Sequence, residues 1–253
     1  MKVKFIVNTL LGLTLANAKL IMLIRHGEKI SDDYTDLSPE GKARADCLVN
    51  TFGSNGIYTT PQKIYAQRPT EQRKSTRPVD TVTPLAQSLG LEIDTTYTSG
   101  KFKDLAKYIA TSPEEVILVS WANDRIPEIA KQLGIKKAPE WKGKVFDDVW
   151  VITDGKTPYI KDASSNIVPK QSFMGKKSLN MEIVEENVTQ CMAEQVVKYS
   201  TNPANTANTN TANTGNSLGD TDSTNDVDSG SEIIKISTMT LTTLLCMIFF
   251  LFN

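Results

Sequence analysis

Two short runs of apolar residues constrain the fold more than any other feature of this sequence. Neither Leu20–Ile24 nor Val116–Val119 contains a polar side chain. A half-exposed strand alternates between apolar and polar residues, whereas a continuous apolar run is expected where a strand is covered on both faces. The two runs therefore predict central strands of a sheet that lies between layers of helices.

The segments around these runs carry helix and turn signals. Ser38 and Pro39 are typical of a helix start, and we expect that helix to end near Phe52. Gly90 is typical of the position after a helix that begins near Ser75. Further helices are predicted over 102–110 and 125–133, and further strands over 63–66, 91–93 and 145–152. Strands separated by helices of about 10–15 residues predict an α/β fold with a mostly parallel central sheet and helices on both faces.

The first 18 residues have the pattern of a secretory signal peptide. They combine a basic start, an apolar centre over 5–15 and an Ala-Asn-Ala ending. Cleavage would then precede Lys19, and residues 19–199 would form one domain. A first buried strand or helix of the domain is the alternative interpretation of residues 1–18.

The C-terminal part has the pattern of a membrane attachment segment. Residues 200–232 contain repeated Ala-Asn-Thr units and neither aromatic nor basic residues, which predicts a disordered stalk. Residues 233–253 end in an apolar tail that follows small residues and a polar spacer, as in a GPI-attachment signal. A membrane-anchoring helix is the alternative. Together with the N-glycosylation sequon at Asn187, both readings predict a glycoprotein of the secretory pathway that is held at the cell surface.

Charge and residue counts exclude several classes of function. The 28 basic and 29 acidic residues lack the basic excess that nucleic-acid binding usually needs. One histidine excludes catalysis by a histidine pair, or a metal site with several histidines, within one chain. We expect no cofactor and no metal, because no ligand cluster of suitable spacing occurs. Removal of the tail would leave Cys47 and Cys191, either paired or as two buried thiols.

The single histidine stands directly after the first apolar run, in the sequence Arg25-His26-Gly27-Glu28. In α/β folds, ligands bind beyond the carboxyl ends of the strands. This motif resembles the signature of the histidine phosphatase superfamily, whose fold is phosphoglycerate mutase-like. Segments 36–45, 75–86 and 117–121 are similar to other motifs of that family in the same order. The resemblance covers about residues 20–152 of the 253.

The resemblance implies a role for each matched residue. His26 would be the nucleophile that accepts the phosphoryl group, and Arg25 and Arg77 would clamp the phosphate oxygens. Guanidinium groups match phosphate geometry, and nearby cations disfavour imidazolium and so keep a histidine nucleophilic. The acid that protonates the leaving oxygen would be Asp124 or Glu28. Either carboxylate is equally well explained as a solvated surface group.

The chain departs from the family at the second histidine. Many members place that histidine where this chain has Trp121, and a subgroup places it two residues later, where this chain has Asn123. The subgroup register fits better, because segment 125–128 then also matches. Asn123 would donate a neutral hydrogen bond to the phosphate.

Losing one preorganised donor costs about 2.7–4 kcal/mol in the transition state, so we expect a phosphate pocket with weak or absent turnover. The sequence therefore predicts a cofactor-free phosphomonoesterase, with a catalytically inactive pseudophosphatase that binds phosphate or a protein partner as the alternative. It does not name the substrate or the oligomeric state.

Overall fold

A computed structural model describes residues 19–162, 164–176 and 179–200. The predicted signal peptide, and residues 201–253 of the predicted stalk and tail, lie outside this part of the chain. The described residues form an α/β domain around one seven-stranded mixed sheet. The α/β class predicted from the sequence is confirmed.

The elements follow one another in a regular order. The strands are β1 (Leu20–Arg25), β2 (Lys63–Ala66), β3 (Ile93–Asp94), β4 (Val116–Trp121), β5 (Asp148–Thr153), β6 (Gln171–Met174) and β7 (Asn180–Glu185). The helices are α1 (Pro39–Phe52), α2 (Arg77–Leu89), α3 (Phe102–Thr111), α4 (Ile126–Gln132) and α5 (Thr189–Ser200), with a short 3-10 helix at Ser99–Lys101 before α3. The strands lie in the order β3-β2-β4-β1-β5-β7-β6.

The sheet has a parallel half and an antiparallel half. β3, β2, β4 and β1 pair in parallel, whereas β5, β7 and β6 join the other side of β1 through antiparallel pairs. The expectation of a mostly parallel sheet therefore describes the first half, and β6 and β7 were not predicted. Three of the four β6 residues are exposed and two are polar, so this strand carries no apolar run that would reveal it.

Helices cover both faces of the sheet, as the continuous apolar strands predict. In β1, Leu20, Met22 and Ile24 pack in one core with α1, α2 and α5, whereas Ile21 and Leu23 pack in a second core with α3 and α4. This division follows from the strand geometry, because successive side chains point to opposite faces.

Local signals and one covalent link define the helix layer that adjoins the site. The Ser38 hydroxyl accepts the Gly41 N–H at 3.1 Å and so caps α1. Gly90 follows α2 with a φ of 64°, which favours glycine. Cys47 and Cys191 form a disulfide that joins α1 to α5, with 5.8 Å between their Cα atoms. Within the described ranges, no helix is long and apolar enough to cross a membrane.

Candidate functional site

Three parallel strands end at one edge of the sheet and place the site there. Arg25 lies opposite Trp121, and Ala66 lies opposite Ser120, so β1, β2 and β4 end at about the same level. The residues that directly follow them are His26, Gln67 and Ala122, and all three line one cavity of about 480 Å³. The cavity thus lies beyond the carboxyl ends of the strands, where the sequence predicts a ligand site.

The walls of the cavity come from two loops and the start of α2. Both cationic side chains and carboxylates lie in these walls. In addition to the three residues that follow the strands, the cavity is lined by Asp32, Asp33, Tyr34, Thr35, Glu71, Gln72, Arg73, Lys74, Ser75, Arg77 and Pro78. Of the residues predicted from the sequence, His26 and Arg77 line this cavity.

His26 is buried, and its hydrogen bond determines its tautomer. Its Nδ1 lies 2.8 Å from the Gly27 carbonyl oxygen. A carbonyl oxygen only accepts, so Nδ1 carries the proton and Nε2 keeps its lone pair. Burial, with smaller contributions from the Arg25 and Arg77 guanidinium groups, lowers the pKa of His26 to about 4. At neutral pH the imidazole is therefore uncharged, the form that acts as a nucleophile.

Arg77, the first residue of α2, supplies a cation to the cavity. Its Nη2 donates to the Tyr34 carbonyl oxygen at 2.9 Å. Its buried Nε has no hydrogen-bond partner among the described residues. Burial lowers the pKa of this guanidinium. An unpartnered buried N–H costs free energy, and the guanidinium group belongs to a residue that lines the cavity, where its charge favours an anion.

Thr81 connects the His26 loop to α2. Its hydroxyl accepts the Gly27 N–H at 2.8 Å and donates to the Arg77 carbonyl oxygen at 2.7 Å. Gly27 also packs closely on α1, since a Cβ at this position would lie 3.0 Å from the Gly41 carbonyl oxygen. These contacts hold the backbone beside His26 against two helices.

Arg25 is buried next to the site but does not line the cavity. Its Nη1 donates to the carbonyl oxygens of Gly143 and Val145 at 2.7 and 3.0 Å. Its guanidinium carbon lies 3.7 Å from the centre of the Phe146 ring. In this arrangement Arg25 acts on His26 through its charge, and its buried Nε has no partner within the described part of the chain.

Glu28 belongs to a buried ion-pair network. Arg44 Nε lies 3.1 and 3.0 Å from its two carboxylate oxygens, and Arg44 Nη2 lies 2.6 Å from Oε1. Arg44 Nη1 also contacts Glu186 at 2.5 Å. Burial raises the pKa of Glu186 to about 8 against the opposing effect of Arg44. Glu28 is bound by Nε and Nη2 of Arg44, so its position favours a structural role over that of a proton donor.

Asn123 and Asp124 follow β4 and are not part of the cavity lining. Asp124 is paired with Arg73 at 3.0 Å and lies 3.6 Å from Arg125. Arg73 does line the cavity, so the ion pair connects Asp124 to its rim. The hydrogen bonds of the described residues do not include one from the Asn123 side chain.

Gln67 and Arg73 are two of the polar lining residues that sequence reasoning missed. Gln67 directly follows β2, so the rule that ligands bind beyond strand ends would have pointed to it. Among the residues that the structure describes, no group of three or more His, Cys, Asp or Glu side chains is placed to hold a metal ion.

Comparison with known proteins adds nothing to this geometry. No family model matches the chain, and no curated protein matches it.

Proposed function

We propose that this protein is a divergent histidine phosphatase-like protein that hydrolyses phosphomonoesters slowly through a phosphohistidine at His26. One observation supports this proposal above the others. A neutral, buried imidazole with a free Nε2 lies beside Arg77 at the carboxyl edge of parallel strands, in a cavity of about 480 Å³. Such a constellation suits attack on a tetrahedral anion.

The proposed reaction has two steps. In the first, the Nε2 lone pair of His26 bonds to phosphorus, the ester P–O bond breaks, and the leaving oxygen keeps the electron pair of that bond and takes a proton from the predicted acid, Asp124. In the second, water attacks phosphorus and gives a proton back to the Asp124 carboxylate, the N–P bond breaks, and inorganic phosphate leaves with the imidazole neutral again. Fixed cations oppose the charge of the transferring group throughout, which is the main contribution that a protein makes to phosphoryl transfer.

Two features support slow turnover. The chain has no second imidazole to complete the phosphate site, which is worth about 2.7–4 kcal/mol for one preorganised donor. The predicted acid Asp124 is paired with Arg73 and Arg125, at the rim of the cavity. Proton donation to the leaving group therefore requires a rearrangement of this ion pair.

A catalytically inactive phosphate-binding protein is the second candidate. It is favoured by the position of Glu28, which Arg44 holds in a buried network away from proton transfer. A carboxylate fixed in this way stabilises the fold without contributing to chemistry. In this case the cavity would bind a phosphate group and release it unchanged.

Hydrolysis of p-nitrophenyl phosphate by the wild type and His26→Gln distinguishes the candidates. We expect slow hydrolysis by the wild type and at least a hundredfold loss in His26→Gln, because the variant has no nucleophile. A labelled phosphomonoester should also leave an acid-labile, base-stable phosphoryl group on the wild type alone.

Calorimetry with inorganic phosphate completes this experiment. Phosphate binding by the wild type without turnover or labelling would select the binding protein. Neither turnover nor phosphate binding would reject both candidates, provided that circular dichroism shows a folded protein.

A further inference from the structure

Gln67 occupies a position in the site that neither the sequence motifs nor the proposed reaction uses. It directly follows β2, it is buried, and it lines the cavity together with His26 and Ala122. Its backbone N–H donates to the Ser120 carbonyl oxygen at 3.1 Å, which extends the pairing of β2 with β4 by one residue. The backbone thus holds this side chain at the edge where the three strands end.

The orientation of the Gln67 amide follows from one contact. Its Oε1 accepts the backbone N–H of Ala122 at 3.4 Å. A backbone N–H requires an oxygen as its acceptor, so this contact places the NH₂ group on the other side of the amide. Gln67 is 2% exposed, and the hydrogen bonds of its side chain within the described ranges involve Oε1 alone. An amide N–H that lines a cavity in this way can donate to an oxygen of a ligand.

We infer that the Gln67 Nε2 donates to an oxygen of the bound phosphoryl group and fills the place left by the missing second histidine. This inference rests on the proposed phosphate site. It assigns the neutral donor to the residue after β2, whereas the sequence assigns it to Asn123, which lies outside the cavity lining. The ligand is a phosphate monoester or free orthophosphate, since only the terminal phosphoryl oxygens are involved.

A second glutamine provides a matched control. Gln62 lies just before β2, at the opposite end of the same strand. Its Oε1 accepts backbone N–H groups of Glu115 and Val116 at 2.7 and 3.3 Å. Gln62 and Gln67 thus make the same kind of contact with the two ends of β4, but only Gln67 lines the cavity. Gln62 is exposed whereas Gln67 is buried, so a substitution at Gln62 controls for the contact with the end of β4, and thermal unfolding controls for the difference in burial.

Calorimetric titration of Gln67→Glu, Gln67→Met and Gln62→Glu with orthophosphate at pH 7.5 tests the inference. Gln67→Glu keeps an acceptor for Ala122 and the size of the side chain, but it replaces the donor with a negative charge that also repels phosphate. Gln67→Met removes the donor without adding a charge, so it isolates the hydrogen bond. Hydrogen bonds to charged groups are worth about 1.5–3 kcal/mol, so both Gln67 variants should bind phosphate about 10-fold to 100-fold more weakly. Gln62→Glu should keep the wild-type affinity.

The outcomes separate this inference from the proposed function. Wild-type affinity in both Gln67 variants, while the wild type itself binds phosphate, would overturn the role of Gln67 and leave the phosphate site intact. A tenfold loss in Asn123→Ala without one in Gln67→Glu would assign the donor to Asn123 instead. Absence of binding in the folded wild type would reject the phosphate site itself. Thermal unfolding of each variant separates a loss of affinity from a loss of structure.

Discussion

Each side of the cavity has a carboxylate paired with an arginine, but one pair is buried and the other is exposed. On the β1 side, Glu28 pairs with Arg44, and the two side chains are 11% and 7% exposed. On the β4 side, Asp124 pairs with Arg73, and these side chains are 45% and 44% exposed. Both carboxylates are candidate proton donors by sequence, yet one is part of the protein interior and the other belongs to the surface.

This difference shows which part of the site the fold determines. On the β1 side, the Gly27 backbone is bonded to Thr81 and packed on Gly41, so a change there affects two helices. On the β4 side, the exposed pair of Asp124 and Arg73 has water as an alternative partner. Substitution at the β4 side therefore costs the fold little.

The largest difference between the two sides should appear in the free energy of unfolding. Arg44→Met leaves the buried carboxyl groups of Glu28 and Glu186 without their cation, which costs about 3–5 kcal/mol. Arg73→Met breaks only the exposed pair with Asp124, which costs about 0–1 kcal/mol. Urea unfolding of both variants at pH 7.5 measures the two values.

The substitution is the same in both variants, so the comparison isolates the environment of the ion pair. Equal losses of stability in Arg44→Met and Arg73→Met would contradict the distinction between a structural and a surface carboxylate.

A smaller difference should appear in the pH dependence of stability. The pKa of His26 is about 4 in the folded protein and about 6.5 in an unfolded chain, so the unfolded state binds the proton first as the pH falls. Stability associated with the neutral imidazole is therefore present above pH 6.5 and is lost as the pH falls from about 6.5 to about 4. Between pH 7.5 and pH 5, the wild type should lose about 2 kcal/mol more than His26→Gln.

Urea unfolding of the wild type and of His26→Gln at these two pH values measures the loss of stability of each protein. The difference between the two losses is the double difference that the account predicts. Other groups that titrate in the range affect both proteins alike. A double difference near zero would mean that His26 titrates normally and lies in a more solvated position than the β1 side of this structure provides.

Local patterns predicted much of the fold. The apolar runs at β1 and β4, Ser38 before α1 and Gly90 after α2 all carry their signal in adjacent residues. In the antiparallel half, β5 was predicted within 145–152, but β6 and β7 were not, because β6 is an exposed edge strand and β7 mixes exposed and buried residues. Edge strands are stabilised by pairing with a neighbour, which depends on distant parts of the chain.

The site was predictable in part for the same reason. His26 and Arg77 belong to contiguous motifs and line the cavity. The contact of Glu28 with Arg44 joins residues 16 positions apart, and Arg44 reaches Glu186 a further 142 positions along the chain. The direction of Arg25, towards the backbone of Gly143 and Val145, also depends on tertiary packing. No local sequence pattern predicts these contacts.

Nitrogen NMR of the imidazole tests the central claim most directly, because the sequence contains one histidine and an untagged protein gives one assigned ring. We predict a neutral ring protonated at Nδ1, a pKa near 4, and a shift of the Nε2 resonance on addition of orthophosphate that Arg77→Gln weakens. A pKa near 6.5, together with ring resonances that do not shift when orthophosphate is added, would contradict the assignment of His26 as the residue that accepts the phosphoryl group.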